Sequence, residues 1–429
     1  MIYQSITMRV ALVFALALAF AAPAVAGDWP QWRGPNHDGS NDATNLPAAG
    51  NLADDILWTA PMPGPSSATP VVYGDRVFVV SNDKAYEKAY GICLDRATGE
   101  VIWSKELVKS WVNERNSAVT SSPMTDGKLV YFMFGTSDLF ALDFDGNEVW
   151  ATNLDSEFGS IRPDWGIGAS PTLFDGRLYV SATRRREENP IAPYVLCLDP
   201  ATGKKIWSVT RASDAIGESQ DAYTSPIPYE HEGKPAVLVA GGDYITCHDA
   251  ATGAEQWRHA VNSDKENWQR LIPSPVVAEG LVVGVVPRGG PLFAIRPGEK
   301  TDMAYEDAAW IYDERTTDVP TPLVYKGRLY VVNGTQRTMI CLDPKTGKEI
   351  WKGSLKGKRV WASPTAGDGK IYCVTEAGEV LVLAAGDEFK ILSRSELGGG
   401  KTQASIAIAG SSIFVRTGDS LHCVGSSES

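Results

Sequence analysis

A phrase of eleven residues returns along the chain: CLDPATGKKIW at 197–207, CLDPKTGKEIW at 341–351, and looser copies, CLDRATGEVIW at 93–103 and CHDAATGAEQW at 247–257. A repeat of this kind constrains the fold more than composition does, because a unit too small to bury its own apolar face must stack on its copies. A second marker stands upstream of each copy: Ser or Thr, Pro, a Gly turn, then a β-branched and aromatic run, as in ASPTLFDGRLYVSA and PTPLVYKGRLYVVN. The marker prolines are Pro70, Pro123, Pro171, Pro226, Pro275, Pro322 and Pro364, and Ile406 holds the same place in ASIAIAGSSIFVRT, which makes eight units 42 to 55 residues apart.

Alternation in GRLYVV suits a half-buried strand, and CLD and KIW read as two short strands around a turn. With the Ser-Pro segment each unit has four strands, and the chain is predicted to be all-β: an eight-bladed propeller of four-stranded antiparallel blades. Asp199, Thr202 and Gly203 explain the turn, since Asp accepts backbone N–H bonds and Gly takes a positive φ without a Cβ clash. The last unit ends at SLHCVGSSES without a Trp strand, while DILWTAPM precedes the first marker. The N-terminal strand is therefore expected to complete the last blade. Trp58, Trp103, Trp150, Trp207, Trp257, Trp310 and Trp351 then share one position, where a flat ring can wedge against the neighbouring blade. In blade seven that position falls to Ser393.

The segment MRVALVFALALAFAAPAVA reads as an export signal cut after Ala26, so the expected layout is signal 1–26, N-terminal extension 27–51, one propeller 52–425 and tail 426–429. No cysteine follows the cut to carry a lipid, and no later stretch approaches the roughly 20 apolar residues of a membrane-spanning helix. A periplasmic or secreted, monomeric protein is expected. Its formal charge of −12 becomes −13 once Arg9 leaves with the signal, which argues against a nucleic-acid partner.

These tryptophan-docking phrases resemble those of the pyrroloquinoline quinone (PQQ) repeat family of eight-bladed propellers, over roughly residues 52–425 by repeat counting. The resemblance implies either of two activities. Some members are quinoprotein alcohol or sugar dehydrogenases, which hold PQQ with calcium, use an aspartate base, and in many cases place a disulfide of adjacent cysteines over the cofactor. Others, such as the outer-membrane assembly factor BamB, to which this chain is similar in size, are cofactor-free binding scaffolds. The opening GDWPQWRGPNHDGSN resembles that of secreted bacterial members without assigned activity. This sequence has no Cys-Cys pair and lacks the long insertions of the dehydrogenases, so no calcium ligand or base carries over residue by residue. Asp164 in RPDWG is either a base or a loop cap. The scaffold reading is preferred, with no cofactor, catalytic residue or metal ligand assigned.

Five cysteines share one repeat position on different blades and Cys373 lies on another strand, so all six are expected to be free, because a disulfide needs Cα atoms within about 7 Å. Five histidines form no close metal-binding pair, and nucleophile-elbow, phosphate-loop and Cys-x-x-Cys motifs are missing.

Function is expected on the face carrying the long second-to-third-strand loops and the links between blades. Five residues before the marker stand Arg270, Arg359 and Lys401, and Arg115, Arg162 and Arg315 lie in the same links. These residues are candidates for a basic axial mouth that takes a protein or anionic ligand, with Trp268 and Trp361 beside them. Asp221, Asp164, Glu218 and Asp318 lie in the same links, so the alternative is that the arginines simply pair with carboxylates. An outer-loop alternative is the Arg184, Arg185, Arg186 cluster, which could dock an acidic partner or be ordinary solvated surface.

Overall fold

The computed structural model describes residues 27–160, 162–183, 192–298 and 300–425. The signal segment 1–26, the cluster Arg184, Arg185 and Arg186, and the tail lie outside the described residues.

Eight antiparallel sheets form the eight blades, with consecutive strands side by side. Blades 1 to 8 begin at Val71, Met124, Thr172, Ile227, Val276, Leu323, Thr365 and Ala407. Blade 3 is typical: Thr172–Phe174, Arg177–Ala182, Tyr194–Leu198 and Lys205–Thr210. Its second and third strands bury nearly every residue because both faces pack against neighbouring blades, whereas Lys205–Thr210 alternates at the rim. The first strand of blade 1 touches that of blade 8, so the ring is closed. The N-terminal strand Ile56–Pro61 is the outer strand of blade 8, with Trp58 opposite Cys423 and Pro61 opposite Ser420.

Six of the seven tryptophans dock on the next blade's turn. In blade 3, Asp199 Oδ1 accepts from the Ala201 and Thr202 amides at 2.8 and 3.0 Å, which caps the turn. Gly203 takes φ +68°, and a Cβ there would lie 2.6 Å from the Trp150 ring of blade 2. Trp150 Nε1 donates to the Pro200 carbonyl at 2.8 Å. The glycine therefore supplies both the left-handed backbone and room for the ring. Trp58 on Gly99, Trp103 on Gly146, Trp207 on Gly253 and Trp310 on Gly347 repeat the contact, and Trp351 Nε1 donates to the Gly386 carbonyl at 2.9 Å. Trp257 differs: blade 5 has no Thr-Gly turn, and the Trp257 Nε1 is buried without a partner. The insertion that replaces the turn instead lays Asp302–Met303 parallel to Arg258–His259, a fifth strand on the edge of blade 4. Ser393 stands opposite Val382 as Trp207 stands opposite Cys197, which confirms its repeat position.

Near the axis the marker hydroxyls tie the blades together. The amide of Thr69 donates to Ser122 Oγ, Ser122 to Ser170, Ser170 to Ser225, Ser225 to Ser274, Ser274 to Thr321, Thr321 to Ser363 and Ser363 to Ser405, all at 2.9–3.1 Å. All six cysteines are free and buried, and burial pushes the Cys93 and Cys197 thiols up to about 12. They act as small apolar core groups.

Two consequences are measurable by urea unfolding. Gly203→Ala and Gly176→Ala share φ +68°, but the Gly176 site is open space; Gly176→Ala should lose about 1 kcal/mol from the left-handed backbone, and Gly203→Ala a further 1–3 kcal/mol, roughly, from collision with Trp150. Equal losses would show that the ring gives way freely. Deleting residues 52–62 strips blade 8 of its outer strand and Trp58, and should lower the midpoint of the whole ring in one transition. An unchanged midpoint would refute the closure.

Candidate functional site

The N-terminal extension is a strap across the axis. Trp29, fully buried, exchanges backbone bonds with Val72 of blade 1 at 2.8 and 3.0 Å. The Pro30 carbonyl accepts from Thr125 of blade 2 at 2.9 Å, and Gln31 Oε1 accepts from Leu173 of blade 3 at 3.3 Å. Trp32 packs against the apolar cluster of blades 4 and 5. On the far side, Arg33 donates to the Pro322 carbonyl at 2.7 Å and the Pro364 carbonyl at 2.9 Å, and Asn41 Nδ2 to Ile408 of blade 8 at 3.0 Å. The extension thus reaches blades 1, 2, 3, 6, 7 and 8 by hydrogen bonds and the shared cluster of blades 4 and 5 through Trp32. The strap sits toward the short turns, where Asp28 Oδ1 accepts from the Gly74 amide at 3.1 Å. Arg33 is 2 % exposed, and burial draws its guanidinium down to about 10. Its charge is matched by carbonyl dipoles, which is why the strap is anchored at the centre of the ring.

Above the strap lies a cup of about 770 Å³ opening on the long-loop face, within the range of roughly 300–1,000 Å³ usual for ligand sites. Its wall carries most of the hydroxyl belt, and Trp32 lines it from the strap side. Arg115, Arg270, Arg359, Lys401 and Trp361 line it as the sequence predicts, joined by Arg288, Trp165, Tyr223 and four carboxylates, Glu114, Glu218, Asp318 and Glu376. Three candidates, Arg162, Arg315 and Trp268, do not line it. Arg162 follows the short helix Leu154–Phe158 and turns to Asp155 at 2.8 Å. Arg315 is exposed, and its backbone carbonyl accepts from Asn333 at 3.5 Å. Trp268 stands behind the wall, 43 % exposed, with the Arg288 guanidinium 5.6 Å from its ring centre.

The mouth is not a field of one sign. Arg270 grips Asp318 with two bonds, 3.0 and 3.3 Å, and lies 3.8 Å from Glu218, which also pairs with Arg288. Arg359 lies 3.5 Å from Glu376. Five cations, Arg115, Arg270, Arg288, Arg359 and Lys401, face four carboxylates, a net of +1. The pairing alternative therefore describes Arg270, and the basic funnel is corrected to a near-balanced ring. What remains distinctive is the stacking of guanidinium on indole: Arg115 over Trp165 at 5.7 Å, Arg288 over Trp268 at 5.6 Å and Arg359 over Trp361 at 5.6 Å. Each guanidinium carbon lies over its ring within cation–π range, while Arg288 and Arg359 also keep their carboxylate partners.

Sequence reasoning missed Arg288, Trp165 and Trp32. Arg288 sits in the VPRGGP loop between strands two and three of blade 5, a long-face loop whose Arg between Pro and Gly-Gly was the available signal. No histidine lines the cup, so no hydroxyl there has an imidazole base. Among the described residues no group of three or more His, Cys, Asp or Glu side chains could hold a metal ion, and every thiol lies in a blade core. These residues do not fit a calcium-held PQQ capped by a disulfide. Asp164 lies outside the cup lining, its amide 3.4 Å from Asp221. Among the described residues no helix is long and apolar enough to cross a membrane.

A sequence profile of the family described as "Outer membrane protein assembly factor BamB" matches residues 51–186, 88–223, 192–320 and 300–420; its windows overlap, as expected of a repeat that aligns in more than one register. Tetrathionate hydrolase of Acidithiobacillus ferrooxidans is 21 % identical over 365 residues, 74 % of this chain and 64 % of that protein. A quinohemoprotein alcohol dehydrogenase of Comamonas testosteroni is 25 % identical over 173 residues, 38 % of this chain and 23 % of that protein. The chain thus spans less than two thirds of either. BamB of Moraxella catarrhalis superposes with TM-score 0.61 at 14 % identity, over 86 % of this chain and 99 % of that one. A europium-containing methanol dehydrogenase superposes with TM-score 0.67 at 13 % identity, over 92 % and 90 %. At such identities the superpositions establish the shared fold.

The strap's place in the site is testable. Arg33→Met keeps the bulk but leaves the Pro322 and Pro364 carbonyls without a donor, and should lower stability by about 3 kcal/mol in urea unfolding. A loss under about 0.5 kcal/mol, the scale of an ordinary surface change, would show that Arg33 does not anchor the strap.

Proposed function

The chain belongs to the family of the outer membrane protein assembly factor BamB, and from that premise we propose that it is an exported binding scaffold, presenting its long-loop face and cup to a protein or anionic ligand in the periplasm or outside the cell. The leader-like residues 1–26 support export. One observation above all supports binding: the cup is walled by guanidinium–indole stacks and paired charges, with neither an imidazole base nor a metal-ligand cluster among its described residues. Arg and Trp are the side chains most often found at the energetic centres of interfaces. On this reading the protein needs no cofactor, and the ring serves to hold the links rigid.

The likeness to dehydrogenases keeps one second reading in view, a PQQ-dependent oxidoreductase. Two measurements separate them. A photocrosslinker at Trp361 should capture a partner from an envelope extract, whereas one at Lys345, on the short-turn face, should not. Arg359→Glu with Trp361→Ala should reduce that capture about tenfold or more, the scale of an interface hot spot, with the melting temperature retained. Undiminished capture would remove the cup from the binding face. Titration with PQQ and calcium should give no dye reduction on alcohols or aldoses; a stoichiometric complex with substrate-dependent turnover would put the oxidoreductase first.

A further inference from the structure

Because the strap closes the cup below, a ligand longer than the cup can leave only across the mouth. A second cavity of about 380 Å³ opens there, between the links that flank blades 8 and 1. It shares Ser67, Glu114, Arg115, Asn116, Lys401 and Gln403 with the cup, so the two adjoin with these side chains at the junction. The outer arm is a trough whose wall includes four glycines, Gly64, Gly399, Gly400 and Gly418, where main chain faces the cavity, beside polar side chains such as Asn113, Asn116 and Gln403. The backbone there is close-packed: a Cβ on Gly64 would come 2.6 Å from the Asp83 carbonyl carbon, and one on Gly418 would come 2.9 Å from the Gly399 oxygen.

The junction differs electrostatically from the rest of the mouth. Arg270, Arg288 and Arg359 each face a carboxylate. Arg115 and Lys401 are exposed and form no ion pair among the described residues. Around the junction Lys84, Arg115 and Lys401 face Glu114 and Asp419, again a net of +1, and Asp419 accepts a hydrogen bond from Ser420 at 2.9 Å. Arg115 lies over the Trp165 ring with its guanidinium carbon 5.7 Å from the ring centre, a cation–π contact that favours one placement of its N–H groups toward an anion.

We propose that this junction binds an acidic, extended polypeptide segment: the trough takes its main chain, and Arg115 with Lys401 take a carboxylate, from a side chain or from the chain terminus. The inference deepens the scaffold reading and rests on it. A trough with glycines in its wall and amide side chains along it offers hydrogen-bonding partners to another backbone, as in other modes of extended-peptide capture. A sugar chain is less suited, because it needs free aromatic faces, and each of the three tryptophans lining the cup, Trp32, Trp165 and Trp361, already carries a guanidinium on one face.

The test uses the full protein and follows tryptophan fluorescence, to which Trp165 contributes. The probes are a ten-residue Gly/Ser peptide with three glutamates, as free acid and as amide, its glutamine counterpart, and an oligogalacturonate. The glutamate peptides should bind and the glutamine peptide should not; a difference between acid and amide assigns the carboxylate to the terminus or to the side chains. Arg115→Ala and Lys401→Ala, checked for unchanged melting, should each weaken binding about tenfold, the size of a lost charge-assisted contact, while Lys345→Ala on the opposite face should not. Tighter binding of oligogalacturonate through the same residues overturns the peptide assignment. If the Trp361 crosslinker captures a partner but no acidic peptide binds, this inference fails and the scaffold reading stands; if neither occurs, both fail.

Discussion

Each amide at the inner end of a blade donates to the marker hydroxyl of the next blade, at 2.9–3.1 Å from Thr69 round to Ser405. The bond answers a constraint of any radial array. Inner strands lie edge-on to the axis, too splayed to pair with one another, and the proline that follows seven of the eight marker hydroxyls has no N–H to offer. A short side-chain acceptor at this position satisfies the preceding amide and fixes the angle between blades in one contact. The tryptophan–glycine dock does the same at the rim. With both radii set, the links that begin at the markers have little freedom. That rigidity places Arg270 within 3.0 Å of Asp318, although 48 residues separate them.

The strap changes what the axis can do. A ring held only by its blades would leave an open channel, whereas Trp29, Arg33 and Asn41 bind inner strands on opposite sides and close it. Arg33 is suited to this place because its donors diverge toward separate carbonyls, which a lysine's single ammonium could not reach together. The arrangement joins stability and function: the groups that brace the ring from below also make the cup blind, with a single mouth.

What the sequence disclosed and what it withheld divide along the repeat. Trp150, Gly203 and Asp199 were legible because one structural demand recurs blade after blade, and the latch strand was legible because Trp58 keeps the spacing. Even the exception at Ser393 could be placed by register. The strap residues Trp29, Trp32 and Arg33 occur once, so no period announced that GDWPQWRGPNH crosses the axis. The fifth strand at Asp302–Met303 was hidden for the same reason, since it belongs to an insertion. In the cup, position along a link identified Arg270, Arg359 and Lys401, but not their pairing. Whether an arginine meets Glu218 or solvent depends on contacts between blades, and Arg162 shows how one short helix carries a link residue away.

The overall charge bears on which ligand the cup can accept. At −12 the protein repels anions at a distance, and that repulsion acts on every charge a ligand carries until salt screens it beyond about 10 Å at 0.1 M. Attraction arises only locally, where Arg115 and Lys401 stand without carboxylate partners at the meeting of the two cavities. A dense polyanion would have most of its charge outside that small region and would be disfavoured as a whole. A segment with few carboxylates and a mainly neutral backbone can place one of them at the junction and keep the rest of its length along the glycine-containing trough. On the proposed reading the acidity of the protein and the two unpaired cations would act together, the first disfavouring highly charged polymers and the second favouring a sparsely charged chain.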